Sequence, residues 1–375
     1  MASVRKRNWK TSKGEPRSAW VVDFVDASGN RGRRQFDTKR EADDFRVEIE
    51  GQLRAGTFRP EAHKVTVKEA AEAFIEHCRG RMERREKMAK SSFLSFEGHV
   101  KNHILHPEHG LCAVKLAQLT TGRVNKFRDR LRNAGVSIAT TRKILTTLGL
   151  VLEHARSQDL IAVNAARGVK VIGRRDEGSK KITPPSKEQM KALLEAATPT
   201  FRIKLKFAAA TGVRASEFHA LRWRHVDFEK GEVRIDTRVD RWRNEDTTKT
   251  EAGIRTIPLG APIVAMLKEW RLQSRFSRNE DLIFPNKKGK HEAHENMSAV
   301  HFRPTCKRAG VAGVNWHGLR HFAISCWIER GLSPKTVQTF AGHKSLQVTM
   351  DRYGHLFPSE DHKVVMDGIA GELFS

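Results

Sequence analysis

The chain has 375 residues, 38% of them apolar and 30% charged, with a formal net charge of +25. That length exceeds one typical domain and predicts two or three compact units, with an apolar content that excludes a wholly disordered chain. No apolar run is long enough to span a bilayer, so the positive field points to a polyanion, nucleic acid ahead of an anionic membrane surface.

The stretch Met1 to Trp9 is basic but has no apolar segment behind it to act as a secretion signal, which predicts a cytoplasmic protein. Cys78, Cys112, Cys306 and Cys326 are far apart and form no CxxC pair. Reduced, mostly buried thiols are expected rather than a disulfide scaffold or a zinc knuckle.

Residues 1–60 read as a small α+β module. Trp20, Val22 and Phe24 alternate, Ser28-Gly29-Asn30 is a turn signal, and a further strand runs from Arg31 to Phe36. Thr38 with Glu41 forms a capping-box pattern, and Ala42, Phe45, Ile49 and Leu53 recur at helical spacing up to Gly56. Arg5, Lys6, Arg7, Lys10, Arg31, Arg33 and Arg34 make this module strongly basic. They read either as a solvated sheet face or as a three-stranded sheet laid in a DNA groove.

Residues 64–172 turn helical, opening on a second capping box, Thr66 with Glu69, ahead of Val67, Ala70, Ala71, Phe74 and Ile75. Helices are predicted near Ser91–His103, Thr121–Asn133 and Ala139–Ser157. Lys101, Arg123 and Lys126 are candidates for a duplex clamp, with ordinary solvation as the plainer alternative. Residues 173–182 are charged, Gly-containing and without periodicity, and Pro184-Pro185 follows, which predicts a linker. From 183 to 375 the pattern is mainly helical, with short strands around Val233, Ile235 and Arg255 to Leu259. No repeat of solenoid period is present.

The chain contains one tyrosine, Tyr353. A lone tyrosine is ordinarily a packing residue, and a phenol attacks phosphate only where cations favour its ionised form and neutralise the phosphate oxygens. Two upstream clusters supply such cations. In Thr211-Gly212-Val213-Arg214-Ala215-Ser216-Glu217, Thr-Gly ends one helix and Arg214 opens the next, a place suited to phosphate, although an ordinary Arg214–Glu217 surface pair has the same spacing. In His317-Gly318-Leu319-Arg320-His321, the i, i+3 spacing puts His317 and Arg320 on one helical face. A metal bound by His317 and His321 is disfavoured, because no carboxylate or thiolate lies near them in the sequence. His343, in Gly342-His343-Lys344-Ser345, precedes Tyr353 by ten residues.

The ordered set Arg214, His317, Arg320, His343 and Tyr353, within these four motifs, resembles the tyrosine recombinase or phage integrase family. That resemblance implies a multidomain fold: a small α+β N-terminal module, an all-α, SAM-like core-binding domain, and a mainly α catalytic domain with a small antiparallel β-sheet. It implies that residues 1–60 bind arm-type DNA sites, as in larger integrases, that 64–172 bind the core site, and that 183–375 carry catalysis. Lys249, just before Arg255-Thr256-Ile257-Pro258-Leu259, matches the family's catalytic hairpin lysine. Departures exist: Ala341 stands where the family commonly has Leu, and Asn164-Ala165 where it often has Asn-Pro.

The implied chemistry is attack by Tyr353 on a scissile phosphate, giving a 3′-phosphotyrosyl link and a free 5′-hydroxyl. Arg214 and Arg320 would hold the non-bridging oxygens, Lys249 would protonate the leaving oxygen, and His343 would donate to the phosphate. His317 would assist proton transfer, and Glu217 would orient Arg214. No metal or other cofactor is expected. The implied partners are double-stranded DNA at core and arm-type sites, further copies of the chain in a homotetramer, and accessory DNA-bending and directionality proteins, with no membrane. Two other readings are open: a type IB topoisomerase sharing the phosphotyrosine chemistry, and a non-catalytic DNA-binding protein on the same fold.

Overall fold

In the computed structural model, residues 2–12, 14–25, 29, 31–84, 86, 88–173, 184–248, 251–357 and 362–374 are described. The expected linker, apart from Gly173, and the turn residues Ser28 and Asn30 lie outside them. The chain divides into two compact units, Met1–Gly178 and Ser179–Ser375.

The first unit opens with an antiparallel sheet of β1 (Ser3–Lys10), β2 (Pro16–Val25) and β3 (Arg31–Phe36), in that order, followed by α1 (Lys39–Arg54). The predicted box at Thr38 and Glu41 caps α1 in both directions, a motif that contributes about 1 kcal/mol. One sheet face carries Val4, Trp20, Val22, Phe24 and Phe36, which pack with Ala42, Phe45 and Ile49 of α1. Alternation then sorts the basic residues. Arg5, Arg7, Arg31 and Arg33 stand on the opposite face with Trp9, whereas Lys6, Lys10 and Arg34 belong to the helix-side register.

On that opposite face Asp23 accepts from Arg5 Nε at 2.8 Å and Arg33 Nε at 2.6 Å, so two guanidiniums on flanking strands are held in line. Arg34 instead lies over the Phe45 ring, 4.8 Å from its centroid. The seven cations that share this basic stretch of sequence are divided between the two faces by strand pairing.

The rest of this unit is helical: α2 (Val67–Glu83), α3 (Lys90–His99) running on into a π turn at Val100–Ile104, α4 (Thr121–Asn133) and α5 (Ile138–Ser157). The Thr66–Glu69 box caps α2, and the apolar faces of these helices form one core around Phe127, Ile144 and Leu148. Lys101, Arg123 and Lys126 are exposed. Arg128 and Arg130 have structural partners, donating to the carbonyls of Lys170 and of His109 and Gly110.

The second unit begins with α6 (Lys187–Ala196), α7 (Pro199–Thr211) and the single turn α8 (Ala215–Phe218). A three-stranded antiparallel sheet follows, ordered β4 (Val226–Asp227), β5 (Glu232–Ile235), β8 (Arg255–Pro258); a separate hairpin pairs β6 (Thr237–Val239) with β7 (Glu245–Thr247). The remaining helices are α9 (Ala261–Gln273), α10 (His294–Met297), α11 (Arg303–Arg308), α12 (Trp316–Glu329), α13 (Pro334–Ala341), α14 (Leu346–Tyr353) and α15 (His362–Phe374). Phe207, Phe218, Phe284 and Trp316 centre the core, with Phe218 stacked on Phe284 at 4.6 Å. A smaller cluster of Ile324, Ile328, Val337, Ala341 and Tyr353 joins α12, α13 and α14. No described helix is long and apolar enough to cross a membrane.

Candidate active site

The site is built where three chain turns meet. Helix α7 stops at Gly212, whose φ of 58° is left-handed, and a Cβ there would sit 3.1 Å from both Ala323 and Trp327 of α12. That stop lets Arg214 take the cap position of α8, with its backbone N–H donated to Glu217 Oε2 at 2.9 Å and its Nη1 to Glu217 Oε1 at 2.7 Å. The sequence pair Arg214–Glu217 is therefore real. Glu217, however, is not a surface residue: its side chain is 3% exposed.

The C-terminal end of α13 organises the rest. A helix leaves its last carbonyls without intrahelical donors, and these carry the negative end of its dipole. Here three successive carbonyls receive three different arginines. Arg255 Nε donates to Phe340 O at 2.7 Å, Arg320 Nη2 to Ala341 O at 2.5 Å, and Arg214 Nη2 to Gly342 O at 2.6 Å. Arg320 Nη1 also donates to Gly212 O at 2.8 Å, tying the α7 stop to the α13 stop. Gly342, at φ 62°, has no room for a side chain, since a Cβ would lie 3.0 Å from Ala252 O and from Arg255 Nη1.

Arg214 and Arg320, 106 residues apart in the chain, thus converge within one turn of backbone. Each guanidinium has five N–H donors, so neither is exhausted by the contacts described.

The electrostatics are lopsided. Arg214 and Arg255 bond one carboxylate, that of Glu217, whose charge also acts on Arg320. Burial pushes the Glu217 carboxyl up, but the Arg255 and Arg214 charges outweigh it and bring it down to about 2. Burial and the neighbouring Arg214 lower Arg320 to about 9, which still leaves it charged at neutral pH. Burial, reinforced by these cations, lowers His343 to about 3 and His321 to about 4, and it also lowers His317. The three imidazoles are therefore neutral, and the excess positive charge is carried by guanidinium, which suits an anion with two or more acceptor oxygens.

Tyr353 is at the centre and is covered, at 1% exposure. Its hydroxyl shares a hydrogen bond of 2.5 Å with His321 Nδ1, and the His343 ring stacks over it at 6.2 Å and 15°. His343 Nδ1 is in turn paired with Thr349 Oγ1 at 2.9 Å. His317, the residue that the family resemblance assigns to the phenol's proton, is not the one bonded to it. Among the described residues it is His321 that touches the phenol, while His317 packs edge-on against His321 at 4.7 Å. Arg320 and Arg352 do pull toward phenolate, but in this conformation burial outweighs them and raises the Tyr353 pKa.

Lys249 lies outside the described residues, although β7 before it and Glu251 after it are described. Three contributors escaped the sequence reading: Arg255, His321 as the phenol's partner, and Thr349. The signal for His321 was present in the motif His317-x-Leu319-Arg320-His321, where i, i+4 spacing puts it on the His317 face. Nothing local marks Arg255. Among the described residues no group of three or more His, Cys, Asp or Glu could hold a metal ion.

Comparison with known proteins agrees with this arrangement. Residues 186–360 match the phage integrase family, a span that contains the arginine cluster and Tyr353. A tyrosine recombinase XerC-like protein of Caldanaerobacter subterraneus is 26% identical, the match covering 96% of this chain and 98% of that one. The ICEBs1 integrase of Bacillus subtilis is 23% identical over 66% of this chain and 70% of its own. Among solved structures, the Tn1549 transposon integrase in complex with a circular intermediate DNA superposes with a TM-score of 0.67 at 17% identity, covering 81% of this chain and 99% of that one. A lambda integrase tetramer bound to a Holliday junction gives 0.57 at 16% identity, covering 90% and 95%. With the motifs, the converging arginines and the full-length relative in agreement, residues 186–360 form a phage integrase family domain, and the chain is an enzyme of the tyrosine recombinase type, which breaks and rejoins DNA strands.

Proposed function

We propose that this recombinase integrates and excises a mobile element by site-specific exchange, cutting each strand through a 3′-phosphotyrosine on Tyr353. One observation carries the reading: two buried guanidiniums, Arg255 and Arg320, and the half-exposed Arg214 gather with a single buried carboxylate beside the only tyrosine of the chain. Arg214 and Arg320 hold the non-bridging oxygens of the scissile phosphate and balance the charge that builds in the transition state. His321, neutral and already bonded to the phenol, takes its proton, and His343 donates to the phosphate. His317 extends the same imidazole row. Lys249 protonates the leaving 5′-oxygen. Because the phenol is covered in this conformation, α14 must shift before attack, and cleavage is coupled to whatever displaces it.

The proposed division of labour follows the sequence. Residues 1–60 bind arm-type sites, with Arg5, Arg7, Arg31 and Arg33 on the face turned away from α1; residues 64–172 grip the core site, with Lys101, Arg123 and Lys126 among the exposed cations; residues 183–375 carry out catalysis. Linking an arm binder to a core binder raises effective concentration and favours bridging of separated sites. A homotetramer on two duplexes is the proposed assembly, acting in the cytoplasm with DNA-bending and directionality proteins as accessory partners.

Plasmids carrying one or two copies of the element's own junction sequence test this. Recombinant products that require two sites support it. Relaxation of supercoils with no need of a partner site points instead to a topoisomerase, and binding without any change in topology points to a non-catalytic protein.

A further inference from the structure

Arg255 is a buried cation of the second unit's charge cluster, with its side chain 1% exposed, and the chemistry above gives it no direct task. Four of its five N–H groups have partners. Nη1 and Nη2 donate to the two oxygens of Glu217 at 3.2 and 2.8 Å, Nε donates to Phe340 O at 2.7 Å, and Nη1 also donates to Gly253 O at 2.9 Å. It therefore touches three things at once: the carboxylate that holds Arg214, the end of α13 that leads into His343, and the backbone that returns from the hairpin segment.

The sharing of Glu217 is the informative part. Oε1 accepts from Arg214 Nη1 and from Arg255 Nη1, while Oε2 accepts from the Arg214 backbone N–H and from Arg255 Nη2. A lone Glu217–Arg214 pair would cancel the charge of Arg214 and draw it toward the carboxylate. With Arg255 dividing that carboxylate, Arg214 is oriented without being neutralised. Only a planar fork can serve both oxygens and a carbonyl in the same plane; a lysine offers a single point charge. A buried ion pair is a poor source of stability by itself, because desolvation offsets the attraction. Stability alone therefore does not explain why three polar elements are tied to one guanidinium here.

We propose that Arg255 is a positioning residue for strand cleavage, which shares Glu217 with Arg214 and pins the α13 terminus so that Arg214 and His343 face the same phosphate. The proposal rests on the roles given above to Arg214 and Tyr353. It is tested with the full chain on a nicked duplex carrying the junction sequence of the element that encodes it, following the rate of covalent protein–DNA adduct formation and, separately, the affinity for intact duplex.

Arg255→Met is expected to slow adduct formation roughly 10- to 100-fold, less than the ~10²–10³ typical of a donor that touches the reacting group, with DNA affinity within about twofold of wild type. Arg255→Lys, which keeps the charge and loses the fork, is expected to fall between the two, and it serves if Arg255→Met does not fold. Adding Glu217→Gln to Arg255→Met is expected to recover at least about fivefold, because an unshared carboxylate no longer captures Arg214. A merely structural Arg255 would lose affinity and rate together and would gain nothing from Glu217→Gln. A Tyr353-dependent wild-type adduct that Arg255→Lys and Arg255→Met form at the wild-type rate overturns this proposal alone. A wild-type protein that binds the duplex and forms no adduct overturns the underlying reading and the proposal with it.

Discussion

Gly342 offers a sharp test of how the arginine frame is held, because the second unit contains its own control. Gly342 and Gly310 both sit in the left-handed region, at φ 62° and 65°. An alanine at either position meets the same backbone penalty, about 1–2 kcal/mol for an L-residue. They differ in space. A Cβ on Gly310 meets nothing within 4 Å, whereas one on Gly342 lies 3.0 Å from the Ala252 carbonyl and 3.0 Å from Arg255 Nη1. Neither neighbour can yield cheaply, since one is backbone and the other is a buried guanidinium held by four hydrogen bonds.

Gly310→Ala is therefore expected to lower stability by about 1–2 kcal/mol and leave cleavage intact. Gly342→Ala should cost the same conformational term plus about 1–3 kcal/mol of overpacking, and it should also displace the carbonyls that receive Arg214, Arg255 and Arg320. Urea unfolding followed by the fluorescence of Trp223, Trp270, Trp316 and Trp327 reads the stabilities, and adduct formation on junction DNA reads the site. A drop of tenfold or more in adduct rate is expected for Gly342→Ala alone. Equal effects of the two substitutions on stability and on rate would refute the idea that this turn is the frame's keystone.

Further outcomes are expected. Arg320→Lys removes the fork that joins Gly212 O to Ala341 O and should lower the adduct rate by roughly 10²–10³ with little change in DNA affinity; a rate within threefold of wild type would contradict the role. Alkaline titration of the single tyrosine, read as phenolate absorbance, should give a midpoint above the ordinary value near 10; a midpoint below it would show that the cations, not burial, dominate in the free protein. His219 is 3% exposed, neither ring nitrogen is paired among the described residues, and burial lowers its pKa to about 3. The unfolded chain then binds more protons than the native one between about pH 6.5 and 3, so native stability falls as pH drops through that window. His219→Leu should flatten that decline, and an unchanged slope in pH-dependent melting would contradict it.

What the sequence disclosed was mostly what local rules govern. The capping boxes at Thr38 and Thr66 and the turn at Gly212 are set by residues three or four apart, and each stands where the pattern put it. The strand Ser3–Lys10 was not located, because its alternation of Val4, Lys6 and Asn8 with Arg5, Arg7 and Trp9 shows no apolar face; it forms by pairing with β2. Arg255 was invisible for a different reason. Its partners Glu217 and Phe340 lie 38 and 85 residues away, and only the folded topology brings them together. Burial of Tyr353 was equally hidden, since the motif reports which groups gather and not which of them the free protein keeps covered.

The central claim is that one phenol, framed by Arg214 and Arg320, attacks DNA. The most direct measurement is to trap the full chain on a nicked junction duplex and map the attached nucleotide by mass spectrometry. A phosphotyrosyl peptide containing Tyr353 is expected, formed equally well in EDTA and absent from Tyr353→Phe. An adduct on any other residue, or a Tyr353→Phe protein that still cleaves, would contradict it.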